Sequence, residues 1–95
     1  MTFNVNVYRV IPVDIVVSAE AHGKFESLPR TIKARVLEIY ERLQKWPAVS
    51  GAKPLRHGLK SHFRIRTGDW RVVFTVRGDV VRIVDIDHRK DVYED

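Results

Sequence analysis

Residues 61–76, Ser-His-Phe-Arg-Ile-Arg-Thr-Gly-Asp-Trp-Arg-Val-Val-Phe-Thr-Val, contain two short runs of period-two alternation, His62 to Thr67 and Trp70 to Val76, joined by Gly68-Asp69. A Gly-Asp pair between alternating runs is the mark of a two-residue hairpin turn, and it sets a register. Thr67 opposes Trp70, Arg66 opposes Arg71, Ile65 opposes Val72, Arg64 opposes Val73 and Phe63 opposes Phe74. Opposed residues share a face, so one face is apolar and the other carries Arg64, Arg66 and Arg71. Like charges side by side on a sheet repel. Three arginines on one face therefore point to a surface shaped for a polyanion, against the plainer alternative of a solvated outer face.

The pattern repeats at Gly78-Asp79, so the run from Val80 to Asp87 is expected to fold back and complete a three-stranded meander. In the simplest register Ile83 opposes Phe74, Val84 opposes Val73 and Ile86 opposes Arg71, and His88 projects from the arginine face near Arg71. That register also puts Asp85 and Asp87 on the apolar face. The conflict calls for a bulge or a local exit from the sheet.

Ninety-five residues form one domain with a single modest core, and 44% apolar with 31% charged residues is a globular rather than a disordered composition. The absence of cysteine excludes disulfides and thiolate zinc sites and fits a reducing compartment. The N-terminus lacks the layout of a signal peptide and no apolar run is long enough to span a bilayer, so a soluble, cytoplasmic protein with no membrane partner is expected. The net charge of +5 is unevenly distributed: Arg30 to Arg71 holds eleven Lys or Arg against Glu38, Glu41 and Asp69, whereas the last eleven residues are acidic. A basic middle favours association with nucleic acid or an acidic protein.

Residues 1–12 are expected to be a loosely ordered extension, because Pro12 interrupts a central strand. Val13 to Val17 is short and β-branched and reads as the first strand. Ser18 suits the cap of a short helix with apolar Ala21, Phe25 and Leu28, on which His22 reads as an exposed histidine. A second helix is expected from about Pro29 to Trp46, since Ile32, Val36, Ile39, Leu43 and Trp46 form an amphipathic stripe that Pro47 ends. The loop from Ala48 to Lys60 carries Lys53, Arg56, His57 and Lys60, which read either as a clamp on a phosphate backbone or as a solvated linker. Asp85 and Asp87 beside His88 are too few for a convincing metal site and read as a solvated rim or as partners to arginine.

The order of elements, with Phe25-Glu26-Ser27-Leu28-Pro29, Lys53-Pro54-Leu55-Arg56, Phe63-Arg64-Ile65-Arg66, Gly68-Asp69-Trp70-Arg71-Val72-Val73-Phe74 and Asp87-His88-Arg89-Lys90-Asp91-Val92-Tyr93, resembles the RelE/ParE superfamily of type II toxin–antitoxin toxins over Ile15 to Tyr93. The resemblance implies an α+β fold in which a helical hairpin packs on one face of a four-stranded, mainly antiparallel sheet. It further implies a toxin silenced by an acidic antitoxin. In the RelE-like branch, the activity is metal-independent, cofactor-free cleavage of messenger RNA on the ribosome, an endoribonuclease or mRNA interferase activity that stops translation. The family's functional positions correspond here to Arg64, Arg66, Arg71, Arg89 and Tyr93. The ParE-like branch uses the same fold to inhibit DNA gyrase, and a binding-only member is a further alternative.

Metal-free cleavage needs a proton acceptor, stabilisation of developing negative charge and a proton donor to the leaving oxygen. Arginine suits the second task but stays protonated at neutral pH. Both basic positions of the first meander strand are arginine where the best-known relatives have lysine. His88 is therefore the expected proton-transfer residue, and Tyr93 is expected either to stack on a displaced base or to share that role.

Overall fold

The structure is a computed structural model, and it describes residues 13–55 and 61–89. Its core is the predicted meander. β3 (His62–Thr67), β4 (Trp70–Arg77) and β5 (Val80–His88) follow β1 (Asp14–Val17), α1 (Ala19–Glu26), α2 (Arg30–Leu43) and the two-residue β2 (Lys53–Pro54) in chain order. The sheet order is β1-β5-β4-β3-β2, with β1 parallel to β5 and the other pairings antiparallel. The sheet thus has five strands rather than the expected four, because Lys53 and Pro54, assigned to a loop from sequence, pair with Arg64 and Phe63.

The β3–β4 register is the expected one at all five opposed pairs. Gly68 turns the chain at φ +60 and Gly78 does so at φ +57, a conformation that glycine adopts without the Cβ penalty. With a positive φ at the first central residue only, both turns fit the primed type that matches strand twist.

Ser18 joins β1 to α1. Its N–H donates to the Ile83 carbonyl at 2.9 Å, extending the parallel ladder, and its Oγ accepts from the Ala21 N–H at 3.0 Å as the helix cap. α2 starts after Pro29 and ends at Leu43, three residues short of Trp46; turns carry the chain on to Pro47. Its stripe does what the spacing requires: Val36, Ile39 and Leu43 are buried against Ile65, Val72, Phe74, Val81, Ile83 and Ile86, with Ala21 and Leu28 from the first helical segment. Each such side chain contributes about 1.5–3 kcal/mol on burial. Trp46 closes one end, with its ring 5.0 Å from Phe63 and 5.4 Å from Phe74 in edge-on geometry. Both helices therefore occupy the apolar face and leave the opposite face of the meander uncovered by helix.

Beyond Ile83 the β4–β5 ladder departs from the simplest register. Phe74 opposes Ile83, but Val73 opposes Asp85, so Val84 is the extra residue of a bulge. Its carbonyl lies 3.4 Å from the Ser18 hydroxyl, which donates to it. The physical reason is burial. The slip brings Ile86, 1% exposed, opposite Val72 in the core and takes both aspartates out of that position. Among the described residues, no helix is long and apolar enough to cross a membrane.

Candidate functional site

The face of the sheet away from the helices is built from three cross-strand rows. Arg66, Arg71 and Asp87 oppose one another in the first, and Lys53, Arg64 and Val73 in the second, whose backbone partner Asp85 lies at the bulge and gives its carboxylate to Lys24 of α1. His62, Thr75 and Arg82 make the third. The arrangement brings Lys53, Arg64, Arg66 and Arg71 together on one surface. Arg89, directly after β5, joins them at the hairpin end: its N–H donates to the Asp69 carbonyl at 2.8 Å, and its Nε lies 3.5 Å from Asp69 Oδ1. That ion pair is exposed and worth little energetically, but it ties the end of β5 to the Gly68-Asp69 turn. The remaining candidates, Arg56, His57, Lys60 and Tyr93, lie outside the described residues.

His88 is not where the simplest register puts it. The bulge shifts every later residue of β5 by one, so His88 opposes Trp70 and shares the helix-side face. The two rings meet edge-on at 4.7 Å. There His88 lines a cleft against α1, with Gly23, Lys24 and Trp70. Asp87 takes the place on the arginine face. His62 and Arg82, which the sequence reading did not single out, stand on that face instead. The signal was available: His62 precedes Arg64 by two residues, and Arg82 opposes Thr75 once Ile83 opposes Phe74.

The two aspartates of β5 have separate partners. Asp85 receives the Lys24 ammonium at 2.7 Å and the Ile86 N–H at 2.8 Å. The hydrogen bond to Asp85 is the main reason that the Lys24 pKa is raised. Asp87 is only 8% exposed and accepts from Arg71 Nε at 3.2 Å. Among the described residues, no group of three His, Asp or Glu side chains is arranged to hold a metal ion.

Burial pushes the Asp87 carboxyl above its ordinary value of 3.8, and the hydrogen bond and charge of Arg71 recover part of the rise. The folded-state pKa is thus above the unfolded one. Ionised Asp87 costs stability at pH values above the folded pKa, and the cost disappears as pH falls below the unfolded value. Asp87→Asn is therefore expected to flatten the pH dependence of stability in the window that begins near 3.8 and extends upward. Arg71→Ala removes the two larger of the influences that hold the carboxyl down, leaving the charge of Lys24, so it widens the window and costs about 1–3 kcal/mol at neutral pH. Truncating Arg71 is for this reason not the harmless change expected of a solvated arginine. Urea unfolding at a series of pH values checks both; stability curves parallel to the unmodified protein's would refute the assignment.

The geometry can now be set beside known proteins. A family model described as the ParE toxin of the type II toxin–antitoxin system parDE matches residues 15–93. Among solved structures, the chain is similar to the RelBE2 toxin–antitoxin complex of Mycobacterium tuberculosis at 28% identity and TM-score 0.72, over 85% of this chain and 95% of that one. The RelB–RelE antitoxin–toxin complex of Methanococcus jannaschii matches at 23% identity and TM-score 0.70, over 82% and 94%. The YoeB dimer of Staphylococcus aureus matches at 17% and 0.69, over 81% and 97%. At the last two identities the likeness shows a common fold. Among curated protein sequences no match reaches significance. The α+β fold, the basic face and a family match over most of the chain lead to one conclusion: the protein belongs to the ParE toxin family, within the RelE/ParE superfamily of type II toxin–antitoxin toxins.

Proposed function

We propose that this toxin cuts messenger RNA on the ribosome by attack of a 2′-oxygen on the adjacent phosphate. The observation that carries the reading is the side-by-side placement of Arg64, Arg66 and Arg71 on the face away from the helices, with Lys53 opposite Arg64 and Arg89 at the adjoining turn. In this reaction the 2′-hydroxyl gives up its proton, a bond forms from its oxygen to phosphorus, and the bond from phosphorus to the 5′-oxygen breaks. The products are a 2′,3′-cyclic phosphate and a 5′-hydroxyl that takes a proton. Arg64, Arg66, Arg71 and Arg89 meet the charge that develops on the phosphate oxygens, a task for which permanently charged, forked donors are suited. Proton transfer is assigned to Tyr93; His88, which the bulge turns to the Trp70 side of the sheet, stands off the arginine face and takes no step there. Lys53, Arg56, His57 and Lys60 hold the phosphate backbone on either side of the cut.

The natural partner of such a surface is an acidic antitoxin segment laid along it as a helix or an added strand. The ribosome supplies positioning, because a small site with few groups needs its substrate held in a reactive geometry.

One observation favours a second reading, a gyrase inhibitor or binding-only toxin. Arg71 is already hydrogen-bonded to a carboxylate, Asp87, which reduces the net charge that it offers a phosphate. The two readings separate in cells. Production of the protein alone is expected to stop incorporation of labelled amino acids and to create new 5′ ends in messages that are being translated. Tyr93→Phe should keep ribosome binding and slow single-turnover cleavage, whereas His88→Gln, on the other side of the sheet, should leave the rate unchanged. Arrest with intact messages and broken DNA, or equally good cutting of free RNA at the same positions, would sink the ribosome-dependent reading.

A further inference from the structure

We infer that the far end of the basic face, between the β3 entry and the β4–β5 turn, is a second phosphate-binding subsite for single-stranded RNA. The inference rests on the RNA reading of the face but concerns binding alone. The subsite is a groove of about 590 Å3 lined by Ser61, His62, Thr75, Arg77 and Arg82, among others. Two guanidiniums, an imidazole and two hydroxyls are brought together there, and among the described residues no carboxylate lines the groove. The topology explains the grouping. His62, Thr75 and Arg82 form one cross-strand row, and Arg77 lies two residues beyond Thr75 on the same side of β4. Asp79, in the turn between Arg77 and Val80, and Asp14, opposite Val80 and donating its N–H to the Asp79 carbonyl, are acidic residues at the rim, and they offset part of the positive charge there.

Direction and distance connect the groove to the arginines. His62, Arg64 and Arg66 point to the same face of one strand, so a row of hydrogen-bonding basic side chains runs along β3. At about 3.3 Å of rise per residue, His62 and Arg66 are separated by about 13 Å. With about 3.4 Å of rise per phosphate along a stacked strand, that length matches about four nucleotides. A strand cut near Arg66 and Arg71 therefore reaches the groove with a phosphate several nucleotides away, where Arg77 and Arg82 meet it and the Ser61 and Thr75 hydroxyls can donate to its oxygens. Contacts of this kind position a strand and carry no sequence information, so the subsite sets register and leaves codon choice to other groups.

The test uses the full-length protein and a single-stranded oligouridylate carrying 2′-O-methyl groups, which can bind but cannot be cut. Its dissociation constant is measured across a salt series for the unmodified protein, for Arg77→Ala with Arg82→Ala, and for Arg30→Ala with Arg35→Ala. The last pair is exposed on α2 and removes the same charge from the opposite side. Each lost phosphate contact lowers the slope of log affinity against log salt by about 0.7 for a single strand. The Arg77/Arg82 variant is expected to lose about 0.7 of slope, for the one phosphate that the two side chains share, and the Arg30/Arg35 variant none. Equal losses in the two variants would mean that only net charge matters and would overturn the subsite. So would an unchanged Arg77/Arg82 slope, or a lack of salt-dependent binding by the unmodified protein. Loss of affinity for polyglutamate with RNA binding intact would assign the groove to an acidic protein and overturn it as well. Because the probe cannot be cleaved, the slope decides the subsite even if the message-cleavage reading fails.

Discussion

Arg64→Ala combined with Arg66→Ala is expected to lower single-turnover cleavage of ribosome-bound message by on the order of 10²-fold or more while leaving the melting temperature nearly unchanged. The two side chains project from the face opposite the core, Arg66 exposed and Arg64 half-buried, and their neighbours across the ladder are Lys53, Val73 and Arg71. Removing them opens no cavity in the core, so the stability effect stays within the range of surface substitutions. The loss falls on the reaction because a guanidinium fixed on a strand meets transition-state charge without having to be reorganised. Restoring lysine at both positions should recover much of the rate, since an ammonium supplies the same charge without the fork. A folded double-alanine variant that cuts at the full rate would remove the arginine face from the mechanism. Thermal unfolding measured in parallel separates that outcome from misfolding.

Phe74→Ala is expected to cost about 3–5 kcal/mol of stability, the largest effect of any single truncation considered. Phe74 is fully buried at the centre of β4. Its ring lies 5.6 Å from Phe63 in a stacked arrangement and 5.4 Å from Trp46, so truncation empties the junction between α2 and the sheet. Domains of this size are stable by only about 5–15 kcal/mol, so the variant should sit near the edge of folding. Phe74→Leu, which fills more of the space, should lose less. Chemical denaturation of the three proteins gives the comparison. An alanine variant within 1 kcal/mol of the unmodified protein (about the spread of ordinary substitutions) would mean that the cluster is not the structural centre.

The apolar–polar alternation of His62–Thr67 and Trp70–Val76, with glycine where φ must be positive, determined the β3–β4 register and hence the common face of Arg64, Arg66 and Arg71. Such information is local: a period of two and a two-residue turn leave no freedom about which side chains are opposed. The α2 stripe and the Ser18 cap were legible for the same reason. Position 84 was not. Sequence alone showed that two aspartates would otherwise fall in the core, but which residue is extra depends on Ile86 fitting against Val72 and on the Ser18 hydroxyl meeting the Val84 carbonyl, contacts between segments far apart in the chain. That single residue decided the site's composition. It moved His88 to the Trp70 side and put Asp87 against Arg71, because a shift of one in a strand reverses every side chain beyond it. Lys53 joined the face for a related reason: a two-residue strand has no periodicity to read, and it is pairing with Arg64 and Phe63 that makes it a strand.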